Sequence, residues 1–198
     1  MNDSREHIMQ TAYTLFLQKS YKAVTLREII SKSGFSNGAF YHYFRTKEEL
    51  FREVANSYWF KIMYLPISVS DECTLHQFIE ESIKRSENIF LKLSRHVQFE
   101  DESINFYSFI FEVYRIIPEL KEKTFKALNQ ELSSWIKVID NAKKNKEIKS
   151  NLPSENITQL FMNTIYGNGL ISFIDQDMQV MISKTRSLWE GLYTLLKE

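Results

Sequence analysis

Residues Thr25 to Leu50 read TLREIISKSGFSNGAFYHYFRTKEEL, and three helix starts are packed into that short span. Thr25 followed by Glu28 is a capping box, which predicts a helix from about Leu26. Ile29 and Ile30 supply its buried side. Ser33-Gly34 ends it, because glycine accepts the left-handed backbone that a helix C-terminus often requires. Phe35 turns inward and Ser36 is an N-cap for a second helix. Phe40 and Phe44, four residues apart, share one face of that helix and anchor it. Thr46 and Glu49 repeat the capping box, with Lys47 in the first turn of a third helix. Two short helices joined by a tight turn suit a helix laid in the major groove of DNA, braced by its neighbour on the backbone.

This stretch resembles the DNA-binding domain of the TetR-type bacterial transcriptional regulators, which commonly reads T-x-x-x-I-A-x-x-A-G-V-S-x-G-x-L-Y-x-H-F-x-x-K-E-x-L. The matching residues are Thr25, Ile29, Gly34, Ser36, Gly38, Tyr41, Phe44, Lys47, Glu48 and Leu50, with Phe35 and Phe40 as conservative exchanges. Leu15-Phe16, Tyr21 and Val24 extend the likeness upstream, so it covers roughly residues 5 to 52. Three departures stand out. Ser20 replaces a usual glycine, so the first helix ends either without a left-handed residue or with a strained one costing about 1 kcal/mol. Ile30 replaces an alanine and alters packing. Asn37 and Ala39 stand where a cation and a threonine are frequent, which removes a phosphate donor and a hydroxyl.

The resemblance implies the contacts. Thr25 and Ser36 would donate to phosphates at helix starts, with Lys47 adding a charge-assisted phosphate contact. Tyr41, His42 and Tyr43 would press on the backbone and groove wall, and Gly38 and Ala39 lie beside them at the start of the same helix. Base reading would fall to Arg27, Asn37 and Tyr41. Arginine suits guanine and asparagine adenine, at about 1–3 kcal/mol of discrimination per bidentate pair.

Charge distribution agrees with a nucleic-acid partner. The chain is formally neutral, yet residues 1–47 hold seven Lys/Arg against Asp3, Glu6 and Glu28, an excess of four positive charges that the remainder balances. A basic head on an acidic body attracts phosphate locally. Other chemistries are weaker. Gly34-Phe35-Ser36-Asn37-Gly38 matches the G-x-S-x-G elbow of α/β-hydrolases, but the elbow needs a preceding strand and a helix is expected there. Cys73 and His76 have C-x-x-H spacing with no second pair, so no zinc site is expected. One cysteine excludes a disulfide framework. No cofactor motif is present, and the chain reads as a non-enzyme. There is neither a signal peptide nor an apolar run of membrane-spanning length, so the expected location is the cytoplasm.

Beyond Leu50 the pattern is helical, with only five Gly and three Pro in 198 residues, too few for a β-rich fold. Helix 1 carries Ile8, Ala12, Leu15 and Phe16 as an amphipathic stripe. A long element runs from Thr46 to about Leu65, and further helices are expected at 73–97, 103–116, 119–146, 154–173 and 177–197. The expected fold is all-α: a helix-turn-helix DNA-binding domain over residues 1–48 and a helical-bundle regulatory and dimerisation domain over 49–198. Phe109 to Leu120 (FIFEVYRIIPEL) also resembles the middle of TetR-type regulatory domains. That resemblance implies a homodimer through the last two helices, with Ile157, Leu160, Phe161, Thr164 and Ile165, then Met181, Leu188, Trp189, Leu192 and Leu195 as candidate stripes. Each of these residues could equally face the monomer's own core. The resemblance also implies a small-molecule pocket for an apolar or aromatic effector, with Tyr107, Phe111, Tyr114, Trp135, Asn163 and Tyr166 as candidates. The chain would then be a repressor released from a palindromic double-stranded DNA operator by that effector. The alternative is a helical small-molecule-binding protein with weak or no DNA binding.

Overall fold

A computed structural model describes residues 3–64, 70, 72–94, 106–175 and 178–197. Among these residues the fold is all-α. The helices are α1 (Asp3–Gln18), α2 (Leu26–Ser33), α3 (Asn37–Tyr43), α4 (Lys47–Val54), a π-helical segment (Ala55–Phe60), α5 (Lys61–Met63), α6 (Leu75–Ser94), α7 (Phe106–Ile116), α8 (Pro118–Lys144), α9 (Ser154–Asp175) and α10 (Met178–Lys197). None of the described helices is long and apolar enough to cross a membrane.

The local signals explain the first elements. The Thr25, Ser36 and Thr46 hydroxyls accept the backbone N–H of Glu28 (3.1 Å), Ala39 (3.2 Å) and Glu49 (3.0 Å), each capping the helix that follows. Gly34 ends α2 at φ 72°, so a side chain there would be strained even though a Cβ would meet nothing within 4 Å. Ser20 is not left-handed: among the described residues only Gly34 and Lys146 have positive φ. Helix α1 instead closes through a turn in which the N–H groups of Ala23 and Val24 donate to the Ser20 carbonyl. The element expected from Thr46 to Leu65 is continuous as far as Met63, passing through the π-helical turn that buries Tyr58 and Trp59. Its expected end at Leu65 lies outside the described residues, as do positions 95–97, 103–105 and 177 of three other expected helices. Helix α8 begins on Pro118 itself, whose missing N–H costs nothing at a first helical position.

Packing divides the chain into two compact units: Met1–Leu65 with Lys92–Phe125, and Pro66–Leu91 with Lys126–Glu198. Residue 48, where the head was expected to end, lies in the first turn of α4. In the first unit the stripe Ile8, Ala12, Leu15 and Phe16 is essentially fully buried, as are Ile29, Phe40, Phe44, Leu50 and Phe51, and Phe16 meets Phe51 edge-on at 4.9 Å. Burying each large apolar side chain contributes roughly 1.5–3 kcal/mol. Phe109 of α7 closes this core edge-on against Tyr13 and Phe51.

The second unit is organised around Trp135, which stacks on Phe161 at 4.9 Å and meets Trp189 edge-on at 5.3 Å. The Trp189 indole N–H donates to the Phe161 carbonyl at 3.0 Å. This core corrects part of the expected dimer stripe. Ile157, Phe161, Met181 and Trp189 are buried within the monomer, while Leu160, Leu188 and Leu195 point outward. The apolar residues of α9 and α10 cover more than one face, and periodicity alone cannot say which face is inside.

Candidate nucleic-acid interface

Helix α3 is held from beneath and open from above. Phe40 and Phe44 are buried at 0% and 1% exposure, and Arg5 of α1 places its guanidinium 5.0 Å from the Phe44 ring centre while pairing with Glu53 at 2.9 Å. Asn37, Gly38, Tyr41 and His42 on the other side are exposed, Tyr41 at 50%. Tyr41 stands edge-on to Phe40, which fixes the direction of an otherwise exposed ring. His42 lies edge-on to Tyr43, which is half-buried. Ala39 is also half-buried.

Gly38 is informative because the chain itself does not need it. Its φ is ordinary and a Cβ there would meet nothing within 4 Å. A helical glycine costs up to about 1 kcal/mol relative to alanine, so the fold forgoes that stabilisation on an outward face.

The cap hydroxyls of Thr25 and Ser36 each accept one amide N–H and retain their own proton for an external acceptor. Both residues are exposed, as is Arg27 between them in sequence. Lys19 pairs with Glu28 at 2.5 Å, and this bond lowers the Glu28 carboxyl below its ordinary 4.5, aided by the Thr25 backbone N–H.

Lys47 is placed differently from a simple phosphate ligand. It is half-buried, and its ammonium donates to the carbonyl oxygens of Tyr21 (2.8 Å) and Val24 (2.7 Å) while lying 4.3 Å from the Tyr21 ring centre. Two of its three N–H donors are thus engaged inside the unit. Burial pulls its pKa down, and the charge of Glu112 partly restores it. Sequence reasoning passed over Lys22 and Arg45, exposed cations without an ion-pair partner among the described residues. Arg45 lies between the Phe44 C-cap of α3 and the Thr46 cap of α4, a position that the local charge count could have singled out.

Of the six candidate effector residues, Tyr107, Phe111 and Tyr114 belong to the first unit and Trp135, Asn163 and Tyr166 to the second. Trp135 is a core side chain, Phe111 is 69% exposed, and the Tyr114 hydroxyl lies 3.3 Å from that of Tyr64. A groove of about 520 Å³ in the second unit is lined by Glu87, Phe90, Leu91, Ile182, Arg186 and Glu190 among others, and by none of the six. The G-x-S-x-G run has helix α2 before it, so the strand a nucleophile elbow requires is replaced by a helix, and Ser36 serves as a cap.

Taken together, a capped helix, a glycine turn and an outward-facing second helix on a three-helix base define a helix-turn-helix domain. Residues 8–54 match the model of the family described as bacterial regulatory proteins, tetR family. An uncharacterised HTH-type transcriptional regulator, YerO of Bacillus subtilis, is 41% identical over 58 residues, 29% of this chain and 20% of that protein. The HTH-type transcriptional repressor NemR of Escherichia coli K12 is 40% identical over 47 residues, 24% of each chain. These matches span only about a fifth to a quarter of the relatives' length. The fold extends further. The crystal structure of reduced E. coli NemR aligns with 94% of this chain and 95% of its own at a TM-score of 0.56, with 17% identity.

Proposed function

We propose that this chain is a sequence-specific DNA-binding transcriptional regulator, acting in the cytoplasm as a homodimeric repressor that a small-molecule effector releases from a palindromic operator. The observation that carries the reading is α3: buried Phe40 and Phe44 hold it, while Asn37, Gly38, Tyr41 and His42 are exposed, as is Arg27 on α2. That is the geometry of a helix presented to a major groove. The functional division falls after residue 48, with residues 1–48 reading DNA and 49–198 binding effector and partner subunit. Thr25 and Ser36 donate to phosphate, Arg27 and Asn37 read base edges, and Tyr41, His42 and Tyr43 press on the groove wall beside Gly38 and Ala39. Repression is inferred from the similarity of the head to the transcriptional repressor NemR, and effector release from the resemblance of the body, with an apolar or aromatic ligand. Release requires that the effector bind one arrangement of the heads better than the other.

The test is selection of duplexes from a random-sequence pool, followed by binding of the enriched duplex to wild type and to a Tyr41→Ala/His42→Ala variant. The account expects an enriched sequence motif and its loss in the variant; no enrichment contradicts it. A second reading, a small-molecule-binding protein with weak or no DNA binding, draws on Asn37 and Ala39 in place of stronger phosphate donors and on Lys47 being engaged internally. It predicts no enrichment from a fully folded protein.

A further inference from the structure

The segment between α1 and α2 is gripped by opposite charges at both backbone polar groups of one residue, Tyr21. Glu112, on α7 and only 9% exposed, accepts the Tyr21 backbone N–H with Oε2 at 2.5 Å. On the other side Lys47 of α4 holds the Tyr21 carbonyl at 2.8 Å and the Val24 carbonyl at 2.7 Å. The next residue after Val24 is the Thr25 cap of α2. Arg115 approaches the remaining Glu112 oxygen at 3.4 Å, so the carboxylate is held from its own helix. A second tie runs from Arg52 of α4 to Glu119 at the start of α8, at 3.1 Å.

We propose that Glu112 is a positioning residue for DNA binding: its bond to the Tyr21 N–H, opposed by Lys47 on the Tyr21 carbonyl, fixes the α1–α2 loop and so places the Thr25 cap and α2. This rests on the DNA-binding reading above. A buried carboxylate is costly unless its bonds are made, and nothing in the contacts expected with DNA requires one at this position. The charges act on the two peptide units that meet at the Tyr21 Cα, an acceptor on the N–H of the first and a donor on the carbonyl of the second. The loop is thereby locked to α7 and α4 together, and a displacement of α7 is passed through the Glu112 side chain to the backbone leading into α2. Lys47 then serves binding chiefly from inside the head.

The experiment compares Glu112→Gln with Glu112→Ala in the full chain, using the duplex enriched by wild-type protein. The two variants carry the same charge, so altered long-range attraction to phosphate cancels between them. Glutamine keeps an oxygen for the Tyr21 N–H and alanine does not. The expected result is at least fivefold weaker binding by the alanine variant than by the glutamine variant, with both folded by circular dichroism. Equal salt slopes are expected, since no phosphate contact is lost, together with faster hydrogen exchange of the Tyr21 amide in the alanine variant alone. Equal affinities per folded molecule would overturn the proposal while leaving the DNA-binding reading intact, and would assign Glu112 to stability alone. A slope reduced by about one in the alanine variant would also overturn it. If wild type enriches no duplex, the DNA-binding reading fails first, and the positioning role falls with it.

Discussion

Gly38 separates what the fold needs from what its surface is for. Because a Cβ there meets no part of the chain, Gly38→Ala should leave the fold as stable or raise stability by up to about 1 kcal/mol, while weakening binding to the enriched duplex. Thermal unfolding and anisotropy on the same sample check both halves, and unchanged affinity would remove Gly38 from the interface. Glu28 gives a pH signature. Its bond to Lys19 holds its carboxyl below the ordinary 4.5, so the ionised side chain favours the folded state above that pH. The contribution fades as pH falls through the lowered value. The pair is exposed, so the effect is small. The melting-temperature difference between wild type and Glu28→Gln should be present at pH 7 and vanish in acid; a difference growing in acid would contradict the pairing. Thr25 and Thr46 were legible in the sequence as caps because a hydroxyl three residues before a glutamate has a local geometric consequence. Lys47 was not. Its partners are carbonyls more than 20 residues earlier in the chain, and no local pattern announces them.

Helix ends show the same division. Gly34 was readable as a left-handed stop, and it takes φ 72°. Lys146, by contrast, ends the run after α8 at φ 61°, a conformation that costs a residue with a Cβ roughly 1–2 kcal/mol. Lysine, unlike glycine, carries no sequence signal for it. The turn is retained because the next residue, Glu147, accepts the Leu75 and His76 N–H groups at the start of α6 and the Tyr193 hydroxyl at 2.9 Å. Lys146→Gly should therefore stabilise the protein by about 0.5–1 kcal/mol in chemical denaturation without altering DNA binding. Destabilisation would show that the lysine side chain itself holds the turn. The stripes on α9 and α10 were visible as apolar, but their assignment was not. Trp135 draws Phe161 and Trp189 inward, leaving Leu160, Leu188 and Leu195 outside, and only three-dimensional packing distinguishes the two sets.

The all-α class and the head were legible because caps, turns and helical periodicity are local. The composition of the two packing units was not, since residues 92–125 join the N-terminal unit across a long stretch of chain. The exposed apolar residues of α9 and α10 lead to a prediction about assembly. Leu160, Tyr166, Leu170, Ile171, Leu188 and Leu195 are each between 47% and 71% exposed in the isolated chain, and a second copy would bury them. Leu188→Glu with Leu195→Glu should convert a dimer to a folded monomer by light scattering and weaken operator binding, because two heads reading one palindrome act as a linked pair. A variant that remains dimeric would place the interface elsewhere. The central claim is specific DNA reading by α3, and the most direct measurement is anisotropy of the enriched duplex and a scrambled duplex titrated with wild-type protein across salt concentration. Preference for the enriched duplex, with affinity for both falling as salt rises, is the predicted result; equal, or absent, binding to the two duplexes by a folded protein would contradict it.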